Sequence, residues 1–266
     1  MALEVPSNIP REPLLRFLVA LADDELVLGH RDSEWTGHAP ILEEDIAFSN
    51  IAQDEIGHSL VWYTMNEQLG GKSPDWMGFE RNWKHFTSCH FVAHPKGDFA
   101  YTVIRQYLFD VGEQVRLNSL CSSSFVPVKE AAEKILQEEG YHIMHSRSLV
   151  ERLGNATNES HTRMQAAVDL AFPQALGMFE ELAGENELVK AGVFSGNELL
   201  QQLWVESVVP VLTAASLKLP VDTKNGTMTV HAKADEGGRK GWQKEHLKQL
   251  VEDLQTVYKL SPGGSW

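Results

Sequence analysis

The chain has 266 residues, enough for one large helical domain or two small ones with a sizeable core. Its 37 acidic against 23 basic residues give a formal charge of −14, which argues against nucleic acid and anionic membrane surfaces as partners. An apolar share of 42% is that of an ordinary globule, and no run of about 18 apolar residues predicts a transmembrane helix.

Pro10 and Pro13 open a first helix, roughly Glu12 to Arg31, with the apolar stripe Leu14, Leu18, Leu21 and Leu28. Pro40 suits the first position of a second helix to about Leu69, with Ile46, Ile51, Ile56, Leu60 and Trp62, ended by Gly70-Gly71. Residues 72 to 98 lack clean periodicity and read as short helices or loop packed on the body. Their Trp and Phe residues, from Trp76 to Phe91, read as core or subunit interface. A third helix spans roughly Asp98 to Cys121, and a fourth runs from Pro127 to about Leu153, before Gly154-Asn155. A fifth begins near Ser160 and runs to about Ala183, and a sixth runs from Ser195, as N-cap, to Leu217. Gly226 to Gly241 reads as a glycine-rich loop with a strand-like Thr227-Met228-Thr229-Val230, followed by a last helix from Trp242 to Leu260. The expectation is an all-α, ferritin-like four-helix bundle forming one domain over residues 1–266. Its core bundle covers about 11–153, and C-terminal helices with a basic loop cover about 158–266. Cys89 and Cys121 fit no metal or CxxC spacing, and the N-terminus lacks a signal-peptide pattern, so a cytoplasmic protein is expected.

Two segments read Glu-x-x-His: Glu55-Ile56-Gly57-His58 and Glu139-Gly140-Tyr141-His142. Residues three apart share a helix face, so each pair aims a carboxylate and an imidazole at one spot. Each has an acid on the preceding helix. Thirty residues separate Glu25 from Glu55, and twenty-nine separate Asp110 from Glu139. Glu113, twenty-six before Glu139, is the alternative to Asp110. Glu25, Glu55, His58, Asp110, Glu139 and His142 form the ligand set of a dinuclear site in a helical bundle. Carboxylates with one imidazole per metal suit iron, or alternatively manganese, better than structural zinc. Asp54 and Glu138 precede the ligand glutamates and are candidates to orient the histidines. His30, His38, His85, His90 and His145 lack such partners and read as residues supporting the ligands from behind, packing residues or surface residues.

The segments Leu28-Gly29-His30-Arg31-Asp32-Ser33-Glu34-Trp35-Thr36-Gly37-His38-Ala39-Pro40, Ile104-Arg105-Gln106-Tyr107, Tyr141-His142 and Val150-Glu151-Arg152-Leu153-Gly154-Asn155 carry a resemblance. So do Gly237-Gly238-Arg239-Lys240-Gly241-Trp242, Glu245-His246-Leu247 and the final Trp266. Over nearly the whole chain they resemble the PaaC family, the C-type components of bacterial phenylacetyl-CoA ring 1,2-epoxidases. The resemblance implies a ferritin-like fold and a role in aerobic phenylacetate breakdown. It implies a heteromeric complex with a catalytic A-type subunit holding the di-iron centre, a small bridging B-type subunit, and a reductase component that supplies electrons. The C-type component it implies is structural, with degenerate metal ligands.

The sequence departs from that pattern. Asp24-Glu25-Leu26-Val27-x-Gly29, Gln53-Asp54-Glu55-Ile56-Gly57-His58 and Glu138-Glu139-x-x-His142 resemble the ligand motifs of the A-type component, which favour Asp110 over Glu113. Two expectations follow: an epoxidase subunit that retains a carboxylate-bridged di-iron site, or a non-catalytic scaffold for a catalytic di-iron subunit. An aryl-CoA thioester is the candidate substrate. Arg239 and Lys240, with Lys244 and Lys248 nearby, are candidates to meet CoA phosphates or an acidic partner surface, or else form a solvated loop. A homo- or hetero-oligomer is expected.

Overall fold

The computed structural model describes residues 3–262, so Trp266 lies outside the described residues. The described chain is helical apart from one two-stranded antiparallel hairpin, and it forms two compact units. The first comprises residues 3–95, 182–187 and 237–262, and the second residues 96–181 and 188–236. Residues 182–262 are therefore divided between the two units.

The first unit is built on two long helices, α1 (Arg11–Ser33) and α2 (Leu42–Gln68). Pro10 at the N-cap has an extended backbone, and Glu12 in the first turn with His30 and Arg31 in the last match the helix dipole. Leu14, Leu18, Leu21 and Leu28 are buried as the stripe predicts, but so are Asp23, Asp24 and Glu25. On α2 the predicted stripe divides. Ile51 and Trp62 are buried, whereas Ile46, Ile56 and Leu60 are exposed. At 100° per residue these five positions fall on two faces, and the buried one runs through Phe48, Ile51, Ala52, Glu55, Ser59 and Trp62. Gly29 lets the two helices approach: a Cβ there would lie 3.0 Å from both the Ala52 carbonyl and the Glu55 Cβ. Residues 72–98 contain the expected short pieces, Trp76–Glu80, Trp83–His85 and His90–Ala93. The last helix is shorter than predicted, Glu245–Leu254 with a separate turn Thr256–Leu260, and it buries Leu247, Leu250 and Val251.

The second unit contains α3 (Phe99–Leu120), α4 (Val126–Ala156), α5 (Asn158–Ala175) and α6 (Asn197–Ala214). Asp98 caps α3 by accepting from the Tyr101 N–H at 2.9 Å, and Thr157 with Ser160 forms a capping box for α5. α4 passes through Gly154 instead of stopping before it. The glycine serves packing, since a Cβ there would lie 2.5 Å from the Ala215 carbonyl. α5 ends at Ala175, two residues after Pro173, short of the predicted Ala183. Gly196, at φ 89°, is the N-cap of α6 in place of the predicted Ser195. The Trp204 indole in the core donates to the Leu108 carbonyl at 2.8 Å, satisfying its one donor. Strand β2 (Thr227–Val230) forms where the sequence is strand-like, and it pairs with β1 (Val221–Lys224), a strand the sequence pattern does not announce. The turn is Asn225-Gly226, both with positive φ, the standard chemistry for a two-residue hairpin.

Candidate metal centre

In the first unit, α1 and α2 bring Glu25, Glu55 and His58 together. One ligand atom from each lies within 4.8 Å of the others, and all three residues are buried. Nδ1 of His58 is 4.0 Å from Oε2 of Glu25 and 3.9 Å from Oε2 of Glu55. Two ionised carboxylates carry a charge of −2, which a divalent cation neutralises. Without such a cation, or a proton, two carboxylates in an interior are costly. The donor set therefore fits a divalent metal.

In the second unit, Glu139, His142 and Ser146 occupy successive places on the buried stripe of α4 that otherwise holds Val128, Ala132, Ile135, Leu149 and Val150. These three polar residues lie within an apolar stripe and not on a solvated face. Oε1 of Glu139 is 3.3 Å from Nδ1 of His142. From α3, Asp110 brings a carboxylate oxygen within 4.8 Å of a His142 ring nitrogen. Burial, and then the charge of Glu139, hold the Asp110 carboxyl well above its ordinary range. Gln106 Nε2 donates to Oδ1 of Asp110 and the Ser146 hydroxyl to Oδ2, each at 2.7 Å, which fixes the carboxylate plane. This triad has the same donor chemistry as the first.

Glu113 is buried but forms an ion pair with Arg116 one turn along α3, and this engages a carboxylate oxygen. Asp54 is half-buried and Glu138 is exposed, so Glu138 is a surface acid beside the buried Glu139. Arg239 is buried, and its guanidinium grips Asp24, with Nη1 on Oδ1 at 2.9 Å and Nη2 on Oδ2 at 2.5 Å. The local acidity of the interior outcompetes solvent for this cation. Lys240 remains exposed, 5.6 Å from the ring centroid of the exposed Trp242.

Several residues outside the set expected from the sequence lie near the candidate ligands. Asp23 pairs with Arg81 and accepts from the Tyr63 hydroxyl at 2.5 Å and the Thr87 N–H at 2.6 Å. Burial, and then the Asp23 charge, raise the Tyr63 phenol well above its ordinary value. Arg81 also stacks on Phe86, 3.6 Å from the ring centroid. Gln106 and Ser146 stand four residues from Asp110 and His142, so helical spacing alone is a usable signal for them. Nothing local announces that Asp23 and Asp24 pair with arginines 58 and 215 positions away.

No described helix is long and apolar enough to cross a membrane. The C-type component of the E. coli (strain K12) 1,2-phenylacetyl-CoA epoxidase is 30% identical over 254 residues, 95% of this chain and 99% of its own length. The A-type component of the same epoxidase is 25% identical over 227 residues, 81% of this chain and 73% of its own length. The two relatives are subunits of one multi-subunit enzyme, and the helical, ferritin-like fold class read from the sequence is the one observed. The model for phenylacetic acid catabolic proteins matches residues 3–266, and the chain belongs to that family.

Proposed function

We propose that this chain is a subunit of a multicomponent phenylacetyl-CoA ring epoxidase of aerobic phenylacetate catabolism, and that it retains a di-iron site. The observation that carries this reading is the buried triad Glu25–Glu55–His58, whose ligand atoms lie within 4.8 Å of one another, with the buried His142 in the second unit, 3.3 Å from Glu139 and within 4.8 Å of an Asp110 oxygen. Iron is the expected metal and manganese the alternative, because the donors are hard oxygens with a single imidazole each. Bound there, the ions would supply the dioxygen chemistry by which an oxygen atom enters the aromatic ring of a CoA thioester, with electrons from a separate reductase. The chain's own residues hold and orient the ligands: Gln106 and Ser146 fix Asp110, and the ion-paired Asp23 and Asp24 immediately precede Glu25. Glu25, Glu55, Asp110 and Glu139 are all buried, so bulk water is kept from the carboxylates. A catalytic A-type partner, a small bridging B-type partner and a cytoplasmic location complete the proposal.

The alternative is a scaffold that stabilises a catalytic A-type partner without chemistry of its own. It is favoured by the fuller match to the C-type relative, which covers 95% of this chain against 81% for the A-type relative. The two readings separate by reconstitution. The chain is combined with an A-type partner, a reductase, an electron donor and phenylacetyl-CoA, with and without Glu55→Ala. If the product gaining one oxygen atom falls at least tenfold in the variant while the complex still assembles, the metal-bearing reading stands. Unchanged turnover would leave the scaffold reading.

A further inference from the structure

The C-terminal loop of the first unit does something the metal ligands alone do not explain. Arg239 sits beneath the surface between α1 and the segment 86–90. Besides its fork onto Asp24, its Nη1 donates to the carbonyls of Thr87, at 3.0 Å, and Ala20, at 3.3 Å. The Cys89 N–H donates to Oδ1 of Asp24 at 2.8 Å. Gly238 lies so close to this segment that a Cβ would come within 2.3 Å of the Ser88 carbonyl. Gln243 donates to the carbonyls of Phe86 and Ser88 at 3.1 and 3.0 Å, and the His90 ring meets the Trp242 carbonyl at 2.9 Å. The loop is thus built around the arginine, and the arginine around Asp24.

We propose that Arg239 is a positioning residue for the metal ligand Glu25. By gripping Asp24, it fixes the rotation of α1 about its axis. The inference rests on Glu25, Glu55 and His58 being metal ligands. Asp23, Asp24 and Glu25 are consecutive, so their side chains leave the helix about 100° apart. Arg81 anchors the first, Arg239 anchors the second, and the third faces Glu55 and His58. A side-chain tip about 5 to 6 Å from the axis moves about 1 Å when the helix turns by about 10°. Metal–ligand distances tolerate only about 0.2 Å. Apolar packing does not hold a helix to that tolerance unaided, because Leu and Phe contacts are non-directional, whereas a guanidinium–carboxylate fork is planar and bidentate. The C-terminal loop of the chain would thereby be coupled to the first metal ligand.

The test is cobalt(II) titration of the full chain, followed by its visible d–d absorption and by competition for affinity. The chain should bind two ions, one of which is lost in His58→Ala. Arg239→Met should weaken that same ion by about ten- to hundredfold and shift its spectrum, while the other ion stays within about twofold. Arg239→Lys, which keeps the charge without the fork, should fall between, and it serves if Arg239→Met does not fold. Leu250→Ala loosens the C-terminal helix without touching Asp24 and should leave both ions in place. Equal affinity and spectrum in the Arg239 variants would overturn the inference while the triad keeps its metal. So would an equal loss in Leu250→Ala, which would reduce Arg239 to general packing. No cobalt bound by the unaltered chain would instead overturn the triad reading, and the inference with it.

Discussion

The two triads share donor chemistry but are held in different ways. In the second unit, Asp110 is steadied by neighbours on helices, Gln106 one turn before it on α3 and Ser146 one turn beyond His142 on α4. In the first unit, Glu25 stands beside two aspartates clamped by arginines from the segment after α2 and from the C-terminal loop. The comparison teaches that one ligand pattern can be positioned by neutral hydrogen bonds within a helix pair or by buried ion pairs to distant segments. The second solution has more to lose when one partner is removed, because the remaining charge is stranded in the interior.

That difference sets the size of the expected effects. The largest belongs to Arg81→Met, which strips the buried Asp23 of its cation and leaves it the Tyr63 and Thr87 donors. It should cost about 3–5 kcal/mol in urea unfolding of the metal-free chain. Ser146→Ala, the corresponding loss in the second unit, removes one hydrogen bond to a carboxylate that still has Gln106. It should cost about 1–2 kcal/mol in the same assay. If the two variants proved equal, the contrast between clamp and hydrogen bond would fail.

A pH series sharpens the contrast further. The folded-state pKa of Asp110 is raised from 3.8 by burial and by Glu139. The folded chain therefore holds this proton more tightly than the unfolded one. The stability it contributes is full below the unfolded pKa and is lost as pH rises through the folded one. Metal-free protein should accordingly become less stable to urea as pH rises through this window, and Asp110→Asn should flatten the slope. A slope unchanged by Asp110→Asn would remove Asp110 as its source. The smallest effect is expected on the surface. Glu138→Gln should change stability by less than about 0.5 kcal/mol and leave metal binding unaltered, since Glu138 is exposed.

How much is legible in the sequence follows the same division. The two Glu-x-x-His pairs and their facing acids depend on helical spacing and on loop lengths, which a linear pattern carries. The helices α1 to α4 accordingly appear within a few residues of their predicted ends. Gln106 and Ser146 are readable in the same way, as residues one helical turn from a ligand. Asp23 carries no signal of its own, and Asp24 enters only within the motif around Glu25, because their partners, Arg81 and Arg239, come from segments whose return path no local signal specifies. For the same reason Arg239 reads, with Lys240, as a basic patch open to CoA phosphates, a partner surface or solvent. On α2, Ile46, Ile56 and Leu60 read as core because apolar residues on two faces of a long helix can be threaded into one apparent stripe. Gly154 reads as a helix end, although its missing side chain serves the approach of Ala215.

The most direct test of the central claim is elemental analysis of the purified chain after anaerobic iron loading, beside a Glu55→Ala/His142→Ala control. The account predicts about two iron or manganese ions per chain, lost in the control. No bound metal in the unaltered chain would contradict it and leave the six buried ligands as remnants within a scaffold.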